Sequence, residues 1–445
     1  NITERVVVEI WQRLMDKVEL TTVGGEQVRI VYPGRKNDSR GADFRDAVIA
    51  TGQGIIRGDI EVHVKSSDWQ AHRHHQDPAY NRVILHVVLK HNGEATINLN
   101  NGEKVPVLAL DRYLKEPLSH SSACSNIPCP KTVKGLVYDK LAEFLDSAGE
   151  ERFSAKAAEF QAELTQVEAG QCLYQGIMGA LGYTKNKLPM LKLARSLPLA
   201  TLQSMTQGKI SEPECLAQLQ ALLLGTAGLL SSQRQNRHQE DEGWIDKLEG
   251  LWTASGHTKA ISEDEWHLFK VRPNNFPPRR IAAMSYLILR YRERGMVEEV
   301  VNMINETPVS QGYLRLEKGF MVTANGYWAN HFDFGLNSHN STLLGRWRAA
   351  DIIVNVLLPF TFAWSKLNSQ PEVGRRAFDL YCSYPKLGVN TVERHMIKQL
   401  ELNSRLVNSA QRQQGLIHIY TTLCRQGRCQ CCRLSQLEAR HHIQV

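Results

Sequence analysis

The segment Gly58-Asp59-Ile60-Glu61-Val62-His63-Val64-Lys65 constrains this chain more than any other stretch of its length. Apolar and polar residues alternate along it, the spacing of a β-strand whose successive side chains point to opposite faces. Ile60, Val62 and Val64 form a back that must be buried, and Asp59, Glu61, His63 and Lys65 form a front. The ordinary fate of such a front is solvation on one side of an antiparallel sheet. Here it combines two carboxylates, an imidazole and an amine, the groups that hold a divalent ion and move a proton. A third carboxylate, Asp43, lies one hairpin upstream in Gly41-Ala42-Asp43-Phe44. Clustered titratable groups favour a functional site. Asp43 and Glu61 are therefore expected side by side on neighbouring strands.

The surrounding pattern frames that strand. Val7, Ile10, Trp11 and Leu14 share a helical face. Residues 27–31 alternate and stop at Tyr32-Pro33-Gly34, a turn signal. Further strands are expected at 43–49, 83–89, 95–99 and 105–110, with hairpin signals at His91-Asn92-Gly93 and Asn101-Gly102. Residues 1–120 thus read as an α+β unit on a mixed, mostly antiparallel sheet. Residues 117–130, with Ser119, Ser121 and Ser122, read as a linker. Helical spacing follows at 138–164, 170–181, 215–230, 281–294, 346–367 and 392–407, which makes 121–445 a large α-helical domain. The fold class expected is α+β.

Composition narrows the function classes. A chain of 445 residues has room for two or three domains. No uninterrupted apolar run reaches the ~18–20 residues of a membrane span. The longest candidate, 352–364, is broken by Asn355 and Pro359 and reads as a buried helix. The start carries no apolar signal-peptide core, so a cytoplasmic location without a membrane partner is the default expectation. The absent initiator Met reads as a processed or truncated start. Net charge is +7 and uneven. Lys270, Arg272, Arg279, Arg280, Arg290, Arg292 and Arg294 face one acid, Glu293, and six Arg between 405 and 440 face Glu438 alone. Two basic stretches make nucleic acid, through its phosphate backbone, the expected partner. Within the first, Arg272 and Arg280 are candidate bidentate phosphate clamps, with helix capping and interhelix pairing as the plainer reading.

Three constellations carry chemistry. Asp43 … Glu61-x-His63-x-Lys65 resembles the core of the PD-(D/E)xK nuclease superfamily. There an acid on one strand, and an acid and a lysine two apart on the next, bind Mg²⁺ and polarise water. The resemblance implies Asp43 and Glu61 as ligands of Mg²⁺ or Mn²⁺, and His63 and Lys65 as catalytic partners. This chain departs from the pattern. Ala42 stands at the nominal proline, His63 at the lysine position, and Lys65 one strand step later. Either His63 serves as base or donor, or Lys65 reaches back.

The second constellation is His72, His74 and His75 with Asp77-Pro78 and Tyr80, followed by His86 on the next strand. The spacing fits no closed zinc site, so a substrate-facing role beside Glu61 is expected for His72, His74, Tyr80 and His86. Direct ligation of Zn²⁺ or Mn²⁺, or a solvated loop, are the alternatives. The third is Cys424, Cys429 and Cys432, a C-x4-C-x2-C spacing also used for iron–sulfur ligation. Clustered thiols in a reducing compartment point to Zn²⁺ or an iron–sulfur cluster. The expected fourth donor is Cys129, ahead of Cys431 and His418, and reduced surface thiols are the plain alternative.

Together, Gly41-Ala42-Asp43-Phe44, the run from Gly58 through Trp69, Asp77-Pro78-Ala79-Tyr80-Asn81 and Val83-Ile84-Leu85-His86-Val87-Val88 are similar to an uncharacterised bacterial family, domain of unknown function 2851. The likeness is expected to run through Arg272-Pro273-Asn274-Asn275-Phe276-Pro277 and the terminal cysteine spacing. That resemblance supplies no activity. The site residues themselves point to a divalent-metal-dependent nuclease or phosphodiesterase. The alternative is a non-catalytic nucleic-acid or protein-interaction module, which His63 at the lysine position favours.

Overall fold

The computed structural model describes residues 3–13, 20–37, 41–113, 138–208, 210–234, 242–309 and 313–434. The chain divides into two compact units, one of residues 1–149, 389–408 and 412–445, the other of 150–388 and 409–411. The first unit extends past the boundary expected at residue 120, and it takes back the C-terminal helices. The cause is apolar burial. Tyr32 and Val48 on the sheet share a core with Leu141, Leu145, Met396, Leu416, Tyr420, Cys424 and Leu434.

The first unit is built on α1 (Glu4–Arg13) and eight strands. These are β1 (Leu20–Thr21), β2 (Gln27–Tyr32), β3 (Arg35–Lys36), β4 (Phe44–Thr51), β5 (Gly54–Lys65), β6 (Val83–Lys90), β7 (Thr96–Asn98) and β8 (Lys104–Ala109). Their order is β1-β2-β4-β5-β6-β8-β7, with β3 also on β4. Pairing is antiparallel from β1 to β5 and parallel from β5 through β6 to β8, so the sheet is mixed. A parallel pair needs a crossover. Residues 66–82 supply it, with the short helix α2 (Asp68–Ala71) inside.

That crossover decides the fate of the alternating strand. Ile60 and Val62 pack on the α1 side with Val7, Ile10 and Trp11, as their spacing requires. The other face is covered as well, by Trp69 and Tyr80 packed with Ala42, Val83, Val88 and Val107. Asp59, Glu61 and His63 are therefore 0%, 5% and 2% exposed, where a solvated front was the ordinary expectation. Buried polar groups need partners. Asp59 finds structural ones. Between the pairs Phe44–Ile60 and Ala47–Gly58, β4 carries one residue more than β5, a bulge at which Asp46 takes φ 59°. The Asp59 carboxylate accepts the Asp46 backbone N–H at 3.1 Å and pairs with Arg45. It pins the bulge.

The second unit is a helical core with two short ribbons, Val322–Thr323 with Thr342–Leu344 and His331–Asp333 with Leu336–Asn337. Strands of two or three residues are too short to show a period, so the helical reading missed them. Arg279 and Arg280 are buried at the start of helix Pro277–Arg290. Arg279 donates to the carbonyls of Trp328, His331, Asn340 and Thr342. Arg280 donates to Leu343 O at 2.6 Å, Asn275 Oδ1 at 2.7 Å and the Tyr183 hydroxyl at 3.0 Å. Arg280 thus has internal acceptors on both terminal nitrogens. Arg272 is exposed.

The apolar stretch 346–367 is continuous helix with a wide π-turn at Ile353–Leu357. Pro359 has no N–H for the carbonyl of Asn355, and the turn widens there. Lys156 Nζ donates to that carbonyl at 3.5 Å. This stretch and Glu212–Gln233 are long and apolar enough, by length and composition, to cross a membrane. They are 67% and 78% buried inside the protein, as core helices are.

The close approach of β6 to β5 depends on Gly58. A Cβ there would fall against Ile84 Cγ2 and 2.5 Å from the Arg82 carbonyl oxygen, while one at Gly52 meets nothing within 4 Å. Gly58→Ala is expected to cost about 1–3 kcal/mol of stability by overpacking. Gly52→Ala should change little. Matched denaturant melts of the two variants check this, and equal stability would remove the packing argument.

Candidate metal centre

Asp43 sits immediately before β4 and Glu61 lies on β5, opposite one another at the end of their antiparallel pairing. Each carboxylate is held by the other strand's backbone. Glu61 Oε2 accepts the Asp43 N–H at 3.0 Å, and Asp43 Oδ2 accepts the Val62 N–H at 3.0 Å. The two acids are thereby placed side by side without breaking the apolar alternation of β5. The remaining Glu61 oxygen, Oε1, faces imidazoles: His74 Nε2 at 3.3 Å and His63 Nε2 at 3.5 Å.

The crossover brings the other histidines in. His63 Nε2 is 3.1 Å from His72 Nδ1, and His63 Nδ1 is 2.9 Å from His86 Nε2. His86 comes from β6, where it stands in register with Glu61. The ring of His74 is stacked on Tyr80, centroids 3.9 Å apart, and lies edge-on to Trp69 at 5.3 Å. Trp69 is fixed by its Nε1–H donating to Asn98 O at 3.1 Å. Among the described residues, His63, His72 and His74 form the one group of three potential ligands whose donor atoms all lie within 4.8 Å of each other.

Burial sets the electrostatics. It raises the Asp43 carboxyl to about 7, aided by the charge of Glu61. It raises Glu61 to about 8, with Glu4 on α1 adding to the rise and the hydrogen bond from Asp43 opposing it. Burial lowers His63 to about 2 and His86 to about 3, with neighbouring imidazoles adding to both. His74 is lowered by burial too. Two carboxyls that retain protons beside imidazoles that reject them make a site short of positive charge. A divalent cation at such a site would supply that charge and displace the protons.

The remaining expected residues fall elsewhere. Lys65 is exposed at the end of β5, and its backbone N–H donates to Asp68 Oδ2 at 2.9 Å. Cys424 and Cys432 are buried in the core shared with Tyr32 and Val48, Cys429 is half-buried and Cys431 exposed. Burial raises the Cys429 thiol, with Cys432 adding to it. Cys129 lies outside the described residues. Sequence reasoning missed Glu4, whose charge is felt by Asp43, Glu61 and His74. Its position in the first turn of an amphipathic helix gave no sign of that. Asp59, read as part of the front, is structural.

These shifts predict how the ion-free protein responds to pH. Asp43 and Glu61 keep their protons in the fold to about pH 7 and 8, while the unfolded chain releases them near pH 4. Their stabilisation is present at low pH and is lost as pH rises through ~7–8. His63 and His86 act oppositely, contributing above about pH 6.5 and losing that contribution as pH falls towards 2–3. In chelator, thermal stability should fall from about pH 6.5 to pH 8.5, and Glu61→Gln should flatten that limb. A parent protein whose melting temperature holds across this window would contradict the protonated pair.

Comparison with curated proteins finds no match, and comparison with solved structures finds none. A family comparison matches residues 4–387, which span both compact units and end before the cysteine segment. With most of its length matched, the chain belongs to the family described as protein of unknown function (DUF2851).

Proposed function

We propose that this protein is a divalent-metal-dependent phosphodiesterase acting on nucleic acid, with Asp43 and Glu61 as carboxylate ligands of Mg²⁺ or Mn²⁺. The observation that carries the reading is the Asp43–Glu61 pair, one acid just before β4 and one on β5, held in a buried, proton-retaining arrangement. Such an ion lowers the pKa of bound water and polarises a phosphoryl oxygen. The chain's own groups do the rest. Val62 N–H and Asp43 N–H orient the two carboxylates. His74, neutral near pH 7 and half-buried against Tyr80, is placed to accept a proton. His72, exposed at the mouth, is placed to meet a substrate phosphate.

The non-catalytic reading draws on one observation. His63, at the lysine position, has both ring nitrogens within hydrogen-bond distance of other imidazoles and is 2% exposed. A side chain held on both sides is better suited to building the site than to reacting in it. Much of the basic run 270–294 is also committed internally: Arg290 donates to Met321 O at 2.9 Å and Arg292 pairs with Glu212 and Glu293. Nucleic-acid binding in this proposal therefore rests on the groups around the carboxylate pair and not on that run.

The test is cleavage of single- and double-stranded DNA and RNA in Mg²⁺ or Mn²⁺. Glu61→Gln keeps the shape that accepts the Asp43 N–H, so it should fold and lose about 100-fold or more in rate. Asp43→Asn should lose comparably. Cleavage that survives Glu61→Gln unchanged, or no cleavage of any of the four substrates with either ion, would sink the hydrolytic reading.

A further inference from the structure

We propose that His63, His72 and His74, with Glu61 Oε1 as an oxygen donor, form a nitrogen-rich site for a divalent transition ion of the zinc class. This names a different ion and ligand set from the carboxylate pair, and it uses His72 and His74 as ligands in place of the phosphate-contact and proton-accepting roles given them above. It needs no hydrolytic activity, because a bound ion is measured without substrate.

The argument is geometric. Imidazole and carboxylate ligands lie about 2.0–2.2 Å from zinc, so neighbouring donors of a tetrahedral site stand about 3.3–3.6 Å apart. Three of the donor pairs here are near that spacing. His63 Nε2 to His72 Nδ1 is 3.1 Å, His63 Nε2 to Glu61 Oε1 is 3.5 Å, and His74 Nε2 to Glu61 Oε1 is 3.3 Å. The three imidazole donors lie within 4.8 Å of one another. A pair of imidazoles at 3.1 Å can be satisfied by one shared proton. His63 Nε2 meets the His72 imidazole and Glu61 Oε1, and Glu61 Oε1 in turn meets His74 Nε2, so a cation set among them would be shared by all four donors.

The supports behind the donors fit the same role. Ligating histidines use their second ring nitrogen to fix tautomer and orientation. With His63 Nε2 on the ion, its Nδ1–H donates to His86 Nε2 at 2.9 Å, and His86 is fully buried on β6. His74 is held in plane by Tyr80 and Trp69. His72 is exposed and closes the site from the crossover, which gives an ion an entry path. Ion choice follows from donor chemistry. Imidazole suits zinc, nickel, copper and iron, while magnesium prefers an octahedron of oxygens. The sequence pattern concealed this site because its donors come from a strand and an irregular crossover, with no fixed interval between them.

The experiment is metal binding to the full chain, measured with Zn²⁺, Co²⁺ and Mg²⁺. One Zn²⁺ per chain should bind and resist displacement by millimolar Mg²⁺. Co²⁺ should give the visible bands of a nitrogen–oxygen site without sulfur charge-transfer absorption, which separates this site from the cysteines. His72→Ala removes an exposed ring and His74→Ala a ring only 12% exposed, so folding of each is checked by its melt, and each should weaken Zn²⁺ binding at least about 100-fold. Asp43→Asn should retain the ion. Unchanged Zn²⁺ affinity in both histidine variants, thiolate bands with Co²⁺, or ready displacement by Mg²⁺ would overturn the proposal. Loss of the ion in Asp43→Asn, with the histidine variants unaffected, would place it on the carboxylate pair instead. A bound ion with no cleavage of nucleic acid would sink the hydrolytic reading and leave this one standing.

Discussion

The parallel pairing of β5 with β6 is the constraint on which the rest of the first unit depends. An antiparallel neighbour would have followed through a tight turn and left one face of β5 to water. The parallel neighbour requires a crossover, and residues 66–82 lay Trp69, His72, His74 and Tyr80 over the front of the strand. Burial of Glu61 and His63 follows directly. So does the shift of their protonation, since both lose the water that stabilises charge. The Asp43 N–H donating to Glu61 and the Val62 N–H donating to Asp43 then hold together two acids that would otherwise separate.

This economy of charge runs through both units. Polar groups whose residue types promise surface chemistry are often consumed by backbone. Asp59 is used to pin the bulge at Asp46, and Arg279 and Arg280 are used to collect carbonyls from the 328–343 segment. A buried guanidinium whose terminal nitrogens reach several neutral acceptors tethers irregular backbone, here with the Nε of Arg279 and of Arg280 left buried without a partner. Net positive charge is therefore a poor guide here to where a polyanion would lie. Around Glu61, by contrast, buried titratable side chains face one another.

Much of the fold was legible. The alternation of Ile60 and Val62 identified the buried back of β5, and the helical face of Val7, Ile10 and Trp11 identified what covers it. The helix Tyr138–Leu164 and the apolar helix through Asn355 and Pro359 were readable from period and length. What was not readable is tertiary. Nothing local in residues 58–65 says whether the front will be covered, because that depends on a crossover with no period of its own. Nothing in Cys424 or Tyr420 says that the C-terminus returns to Tyr32 and Val48. In the site, Asp43 and Glu61 were legible because a hairpin brings its own strands together. The approach of His72 and His74 to Glu61 Oε1 was not, and Lys65, legible as part of the front, ends exposed beyond it.

The account stands on a cation held where the Glu61 carboxylate meets its neighbours. Anomalous diffraction from crystals of the full chain grown with Mn²⁺, and separately with Zn²⁺, tests that most directly. The account predicts an anomalous peak within coordination distance of Glu61 in at least one of the two, with Asp43 or the histidine group completing its shell. Well-ordered density for Glu61 and its neighbours with no anomalous peak beside that carboxylate, at saturating concentrations of both ions, would contradict it.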